Sequence, residues 1–289
     1  TDTLSLDSLQ KTWENKLEPV FPCRIKTTLS AVEAYEFNAA KRAFPSIKAA
    51  VPKVFIPVFP GTNCEYDTAR AFERAGAEAQ IMVVKNLSAS DIEDSIEEAA
   101  KIIKQSQIIM IPGGFSGGDE PDGSGKFITA FFRNPKVKDA VHELLKTRDG
   151  LMLGICNGFQ ALIKLGLVPY GEITDMTNES PTLTFNTIAR HQSMMVNTRI
   201  ASNKSPWLAN SNVGDIHAIP ISHGEGRFVA PQSLIVQLAN NGQIATQYVD
   251  LNGKQINCMH GYAQEMDVIA MRDTLCLLYT SPSPRDPKT

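Results

Sequence analysis

Gly150-Leu151-Met152-Leu153-Gly154-Ile155-Cys156-Asn157-Gly158 is the stretch from which the fold is read. Its unbroken apolar run marks a strand buried on both faces, and Gly158 to Leu165 continue with apolar residues at helical spacing. A strand that passes through a sharp glycine-flanked turn into a helix leaves the central residue of the turn standing above the sheet, where a nucleophile is exposed. A side chain at either flanking glycine would collide with neighbouring backbone as the turn closes. The helix N-terminus sets positive dipole beside the Cys156 sulfur, and with a nearby histidine that favours a thiolate.

The same texture extends outward. Val54 to Phe59, Gln80 to Lys85 and Ile108 to Ile111 are short apolar runs. Between them lie predicted helices over Asp67 to Ala75, ended by Gly76, over Ser90 to Gln105, capped by Ser90 and Asp91, and over Pro135 to Arg148. Continuously apolar strands separated by helices predict an α/β fold, a mostly parallel sheet with helices on both faces, and a site beyond the carboxyl ends of the strands. After Val168 the pattern becomes β-richer. Met194 to Ile200, Ile216 to Ser222, Leu234 to Leu238 and Ile244 to Val249 are read as strands that extend the sheet or build a lobe on its edge. Ahead of the sheet, Leu6, Leu9, Trp13 and Leu17 predict a short amphipathic helix, and Ala31 to Phe44 a second helical patch.

The chain has 289 residues, 43% hydrophobic and 20% charged, enough for a core without disulfides or metal. A formal net charge of -3 gives no basic surplus to displace phosphate counterions, which argues against nucleic-acid binding. The five cysteines form no C-x-x-C pair and no histidine stands at a usual zinc spacing, so no metal site is expected and a reducing compartment is. No apolar run reaches the length of a membrane span and no signal peptide is evident, which predicts a cytoplasmic protein. Residue 1 is Thr, within a polar helix-compatible run, and the chain is read as a fragment.

Two further glycine turns follow apolar strands. Pro112-Gly113-Gly114-Phe115-Ser116 offers bare backbone N–H groups which, with the N–H of Asn157, would form an oxyanion hole for a tetrahedral intermediate. Gly61-Thr62-Asn63-Cys64-Glu65 closes the first strand, and two readings stay open for it, ligand contact or a plain turn.

The strings PGTNCEYDTARAF (60–72), PGGFSGGDEPDGSGKF (112–127), GICNGFQALIKLG (154–166) and SHGEGRF (222–228), in this order, resemble the class I glutamine amidotransferase region of phosphoribosylformylglycinamidine synthases. TWENKLEPVFP (12–22) is similar to the end of the synthetase region in the large single-chain form of that family. The resemblance covers about Leu4 to Val249. It implies a flavodoxin-like glutaminase fold over residues 51–253, preceded over 1–50 by the end of a synthetase region and a linker. It implies Cys156 as nucleophile on the side-chain amide of glutamine, Gly114 and Asn157 as oxyanion donors, and Phe115, Ser116 and Gln160 on the substrate side, with Asp119 in the same loop. Ammonia would pass to the synthetase region of the same polypeptide, where formylglycinamide ribonucleotide becomes the amidine. No cofactor is implied for the glutaminase region, and ATP and Mg for the synthetase region.

The sequence departs from the family at its end. The family completes its triad with a late His-x-Glu, HPER or HSER, and that motif is missing here. Residues 254–289 are divergent, and Leu275 to Asp286 resemble translated adapter or frame-shifted sequence, so that stretch is set aside from the fold. His223 and Glu225 have the His-x-Glu spacing, but the family carries SHGEGR in addition to HPER. His223 is therefore read first as a structural or substrate-side residue and second as a base. His260 lacks the acid two residues on, and His142, His191 and His217 are read as surface or satisfied core histidines. Without the triad partner, the chain is expected to be nearly inactive. The alternatives are a non-catalytic glutaminase-like docking or regulatory module and an unrelated cysteine hydrolase with a similar elbow.

Overall fold

The computed structural model describes residues 3–17, 19–20, 33–40, 48–115, 125–186, 191–250, 252–255, 268–270 and 274–276. An isolated helix α1 (Leu6–Glu14), capped by Ser5, precedes the body. The body begins with β1 (Lys53–Val58), α2 (Glu65–Arg74), β2 (Glu78–Val83), α3 (Ala89–Gln105) and β3 (Ile108–Ile111). Then come α4 (Lys126–Phe132), α5 (Pro135–His142), a π-helical turn (Glu143–Thr147), β4 (Leu151–Gly154), α6 (Asn157–Leu165) and a single turn α7 (Leu167–Tyr170). The second half contributes β5 (Thr182–Thr184), β6 (Gln192–Ile200), a 3-10 turn (Pro206–Leu208), β7 (Ile216–His223) and β8 (Arg227–Val229). The described chain ends with α8 (Gln232–Asn240), β9 (Ile244–Val249), β10 (Val268–Ala270) and β11 (Thr274–Cys276).

Five strands form one parallel sheet in the order β11-β4-β3-β1-β2. Val54, Phe55, Ile56, Ile109, Met110, Ile111 and Met152 are fully buried in it, as strands covered by helices on both faces must be. One end of this core is aromatic: Phe59 meets Phe131 edge-on at a centroid distance of 5.4 Å and Phe127 at 5.7 Å, with Phe132 against both Phe59 and Phe131. The β-richer half forms its own antiparallel sheet, β10-β9-β6-β7, and a two-stranded ribbon of β5 and β8. Every residue of β9 is buried. Ile244 and Ala245 join the main core, while Tyr248 packs with Val196, Ile219 and Ile221 in a second cluster. Residues 274–276, of which Leu275 and Cys276 belong to the stretch set aside in the sequence reading, pair in parallel with Met152, Leu153 and Gly154. Among the described residues, no helix is long and apolar enough to cross a membrane.

Three local expectations are corrected. Leu234 to Leu238 is helix α8, not strand: Ile235 and Leu238 are the buried pair, three apart, while Val236 points to solvent, so helical spacing overrides the apparent alternation. The cap of α3 is Ser88 rather than Ser90; its Oγ accepts the Asp91 N–H at 3.2 Å and donates to the Asp91 carboxylate, a reciprocal cap two residues earlier than the serine at the start of the apolar pattern. Of the predicted patch Ala31 to Phe44, residues 33–40 are extended, with Tyr35, Phe37 and Ala39 half-buried and their neighbours exposed; the rest lies outside the described residues. Helix propensity loses there to pairing with the distant body. Helix α1 forms as expected, yet Leu6 and Trp13 are 82% and 79% exposed.

The aromatic end of the core gives a test. Phe59→Ala removes a ring that is 2% exposed and touches three others. It should cost about 3–5 kcal/mol, read as a lower urea midpoint followed by tryptophan fluorescence and near-UV circular dichroism.

Candidate active site

The β4–α6 connection places Cys156 at φ 52° and ψ -108°, a conformation that non-glycine residues seldom adopt. Close packing of backbone requires it. A Cβ on Gly154 would lie 2.7 Å from the carbonyl group of Gly158, and one on Gly158 would lie 2.2 Å from the Ile111 oxygen. The start of α6 is thereby drawn onto the ends of β4 and β3, and the turn must close in the three residues between the glycines.

Backbone N–H groups of Asn157 and Gly114 are directed at the Cys156 sulfur. Burial pushes the thiol above the ordinary cysteine range, these two donors pull it back in part, and the neighbouring Cys64 thiol adds a smaller upward push. The resting group is therefore a protonated thiol with two donors already aimed where negative charge would develop.

Main-chain bonds hold the Gly114 donor. Thr62 and Gly114 form an antiparallel bridge, the Asn63 N–H donates to the Gly113 oxygen at 2.9 Å, and the Phe115 N–H donates to the Gly61 oxygen at 2.8 Å. Gly114 has φ 126°, and a Cβ there would sit 2.4 Å from the Gly61 oxygen. The turn 61–65, left open by the sequence, braces the 113–115 loop, and within it Thr62 Oγ1 accepts the Phe59 N–H at 3.0 Å. Cys64, exposed at φ 69°, caps α2 beside the site. Phe115 is 52% exposed at the mouth. Ser116 and Asp119 lie outside the described residues.

Gln160 is buried in the second turn of α6. Its Oε1 accepts from the Asn157 side chain at 3.2 Å and its Nε2 donates to the Glu225 carbonyl at 3.1 Å, so it ties the elbow to the β7–β8 turn. That turn is organised by Asn186, which the sequence reading did not single out. Its N–H donates to the Gly224 oxygen and its Nδ2 to the His223 oxygen, both at 2.8 Å, while its Oδ1 meets the His223 Nδ1 at 3.1 Å. With the amide so oriented, Nδ1 of His223 carries the proton. Burial, helped by nearby His191, lowers the His223 pKa to about 4. Glu225 thus reaches the elbow through its backbone oxygen, and the ring of His223 meets the Asn186 amide. The other histidines are placed away from the elbow's hydrogen bonds: His142 Nε2 accepts the Ile173 N–H and His191 meets Ser222 Oγ. His217 is exposed, and His260 lies outside the described residues. Among the described residues no group of three His, Cys, Asp or Glu is placed to hold a metal ion.

Residues 51–260 match the family described as CobB/CobQ-like glutamine amidotransferase domain. A phosphoribosylformylglycinamidine synthase subunit PurQ from Methanococcus maripaludis is 36% identical over 207 residues, 72% of this chain and 70% of the relative. The protein of the same name from Sulfurimonas denitrificans is 32% identical over 210 residues, 71% and 78% of the two chains. A solved chain of PurLQS from Thermotoga maritima superposes with a TM-score of 0.54 at 22% identity, over 78% of this chain and 84% of that one, and so shares the fold.

Two measurements probe this electrostatic setting. Because burial raises the Cys156 thiol, its alkylation by iodoacetamide, followed by peptide mass, should keep accelerating past about pH 9.5, one unit above the pKa of a free thiol, where a free thiol has levelled off. A rate that is flat from pH 7 would show a preformed thiolate. His223, at about 4, is neutral in the folded chain where an unfolded imidazole takes a proton below about 6.5. Its contribution is therefore present above that pH and lost as pH falls toward 4, by up to about 3 kcal/mol. Urea midpoints measured across this range should fall more steeply for the wild type than for His223→Asn.

Proposed function

The chain belongs to the CobB/CobQ-like glutamine amidotransferase family, and on that premise we propose that it is the glutaminase of a phosphoribosylformylglycinamidine synthase, supplying ammonia for purine biosynthesis. The observation that carries the reading is the pair of N–H groups, from Asn157 and Gly114, converging on the elbow sulfur of Cys156. The names of the relatives from Methanococcus and Sulfurimonas support the substrate and the pathway.

In this reading the Cys156 sulfur attacks the side-chain amide carbon of glutamine. The electron pair displaced onto the amide oxygen is received by the two N–H groups. Collapse of the tetrahedral species breaks the carbon–nitrogen bond, and the proton given up by the thiol accompanies the amine as ammonia. Water then adds to the glutamyl thioester, releasing glutamate and restoring the thiol. Cysteine serves here because its thioester splits one hard hydrolysis into two easier steps. The ATP-dependent step, conversion of formylglycinamide ribonucleotide to the amidine, belongs to a synthetase partner. The similarity of residues 12–22 to the end of a synthetase region supports a partner in the same polypeptide; the relatives, named as subunits, support a separate chain as the other arrangement.

A second reading, a glutaminase-like docking or regulatory module, is favoured by one observation. The histidine with His-x-Glu spacing is buried, bonded to Asn186 and held near pKa 4, a poor proton carrier at neutral pH. We assign the proton transfer to no described histidine.

Ammonia release from glutamine, with a synthetase partner present, tests the proposal. In a chain that carries the family's late His-x-Glu, this glutaminase should release ammonia and glutamate in equal amounts and its Cys156→Ala variant none, while the present sequence, which lacks that motif, should release far less of both. Gly114→Ala, whose new methyl collides with the Gly61 oxygen, should lower kcat by about 10²–10³ with the fold kept. Equal ammonia release by the motif-bearing chain and its Cys156→Ala variant would overturn the assignment. Glutamine binding without any release would select the docking module.

A further inference from the structure

Residues 33–40 lie as an extended strap on the antiparallel lobe, far in sequence from everything they touch. The Tyr35 N–H donates to Gln247 Oε1 at 2.8 Å, and Gln247 Nε2 donates to the Glu33 oxygen at 2.9 Å. The Phe37 N–H donates to the Ala201 oxygen at 2.8 Å, within a parallel bridge between Phe37 and Ser202. The Ala39 N–H donates to Asn203 Oδ1 at 2.9 Å. Alternate amides thus face the body, as in strand addition, but two of the three acceptors are side chains, those of Gln247 and Asn203, which are buried.

The receiving surface is shaped for this segment. The Phe37 ring lies over Gly242, where any Cβ would come within 2.4 Å of it, and the Lys204 ammonium stands 5.5 Å from the ring centroid. Ser202 Oγ donates to the Gly242 oxygen at 2.8 Å and fixes the floor. Tyr35 packs on the main core, and Arg199 donates to the Tyr35 oxygen and pairs with Glu36. A buried glutamine with both ends of its amide on one passing backbone is costly unless that backbone is present.

We propose that the cleft between residues 201–204 and 242–247 is a peptide-reading site whose occupant is the segment 33–40. In this arrangement the polypeptide ahead of residue 33 is attached to the glutaminase body by a docked joint as well as by the peptide bond. The joint sets where an upstream partner region stands relative to the body, through a strand carrying aromatic residues at alternate positions. The inference goes beyond the reading of Cys156 and does not depend on it, since no residue of the cleft is hydrogen-bonded to the elbow.

The test is a split chain. A specific protease site is placed between Arg42 and Ile47 of the full chain, the protein is cut, and gel filtration at micromolar concentration asks whether the N-terminal piece travels with the remainder. It should stay associated. Phe37→Ala, which empties the place over Gly242, and Ala39→Pro, which removes the N–H given to Asn203, should each weaken retention by at least about tenfold. Separation of the wild-type pieces, with the remainder keeping the near-UV spectrum of the uncut chain, would overturn the proposal, as would equal retention in both variants. If cutting unfolds the remainder, hydrogen exchange on the uncut chain decides. Tyr35, Phe37 and Ala39 amides should exchange more slowly than those of Glu36 and Asn38, and Ala39→Pro should speed Tyr35 and Phe37; uniform fast exchange in the wild type would overturn it. Ammonia release plays no part in any of these readings.

Discussion

The approach of Gly158 to the Ile111 carbonyl is the contact on which the site depends. It fixes α6 against the ends of two parallel strands at a separation that admits no side chain, and the chain between Gly154 and Gly158 then has one way to turn. The left-handed Cys156 is the consequence rather than the cause. Backbone strain at such a residue costs about 1–3 kcal/mol and persists because the packing around it over-determines the geometry. The buried sheet beneath, with Ile109, Met110, Ile111 and Met152 closed off from water, supplies that rigidity.

The antiparallel half of the molecule is coupled to this elbow by few contacts. Gln160 joins Asn157 on one side to the Glu225 carbonyl on the other, and Asn186 holds the turn that presents that carbonyl. A bond from the lobe therefore ends on the residue whose main-chain N–H faces the sulfur. The link from the lobe to the Asn157 side chain runs through uncharged amide groups, and His223 beside it is kept neutral by burial.

The parallel sheet, the elbow turn and the glycine loop at 113–115 are legible in the sequence because each rests on neighbouring residues: an apolar run, a glycine, a helix start. What escaped rests on partners remote along the chain. The alternation of Tyr35, Phe37 and Ala39 has a period of two, but its meaning lies in Ala201, Asn203 and Gln247, and local composition favoured helix instead. Asn186 reads as a loop polar residue until the His223 turn is brought to it. In Leu234 to Leu238 both periods are present among apolar residues, and only the core, by taking Ile235 and Leu238, chooses between them. Short range is where sequence patterns carry information, and these features have none.

The brace between the 61–63 turn and the 113–115 loop is made of N–H and C=O groups common to every residue type except proline. The side chains of Asn63 and Phe115 make none of these bonds, whereas Thr62 Oγ1 accepts the Phe59 N–H at 3.0 Å and so shapes the turn itself. Residue type can therefore change at Asn63 and Phe115 without removing any bond of the brace, so the rim above the elbow and the backbone beneath it can vary independently.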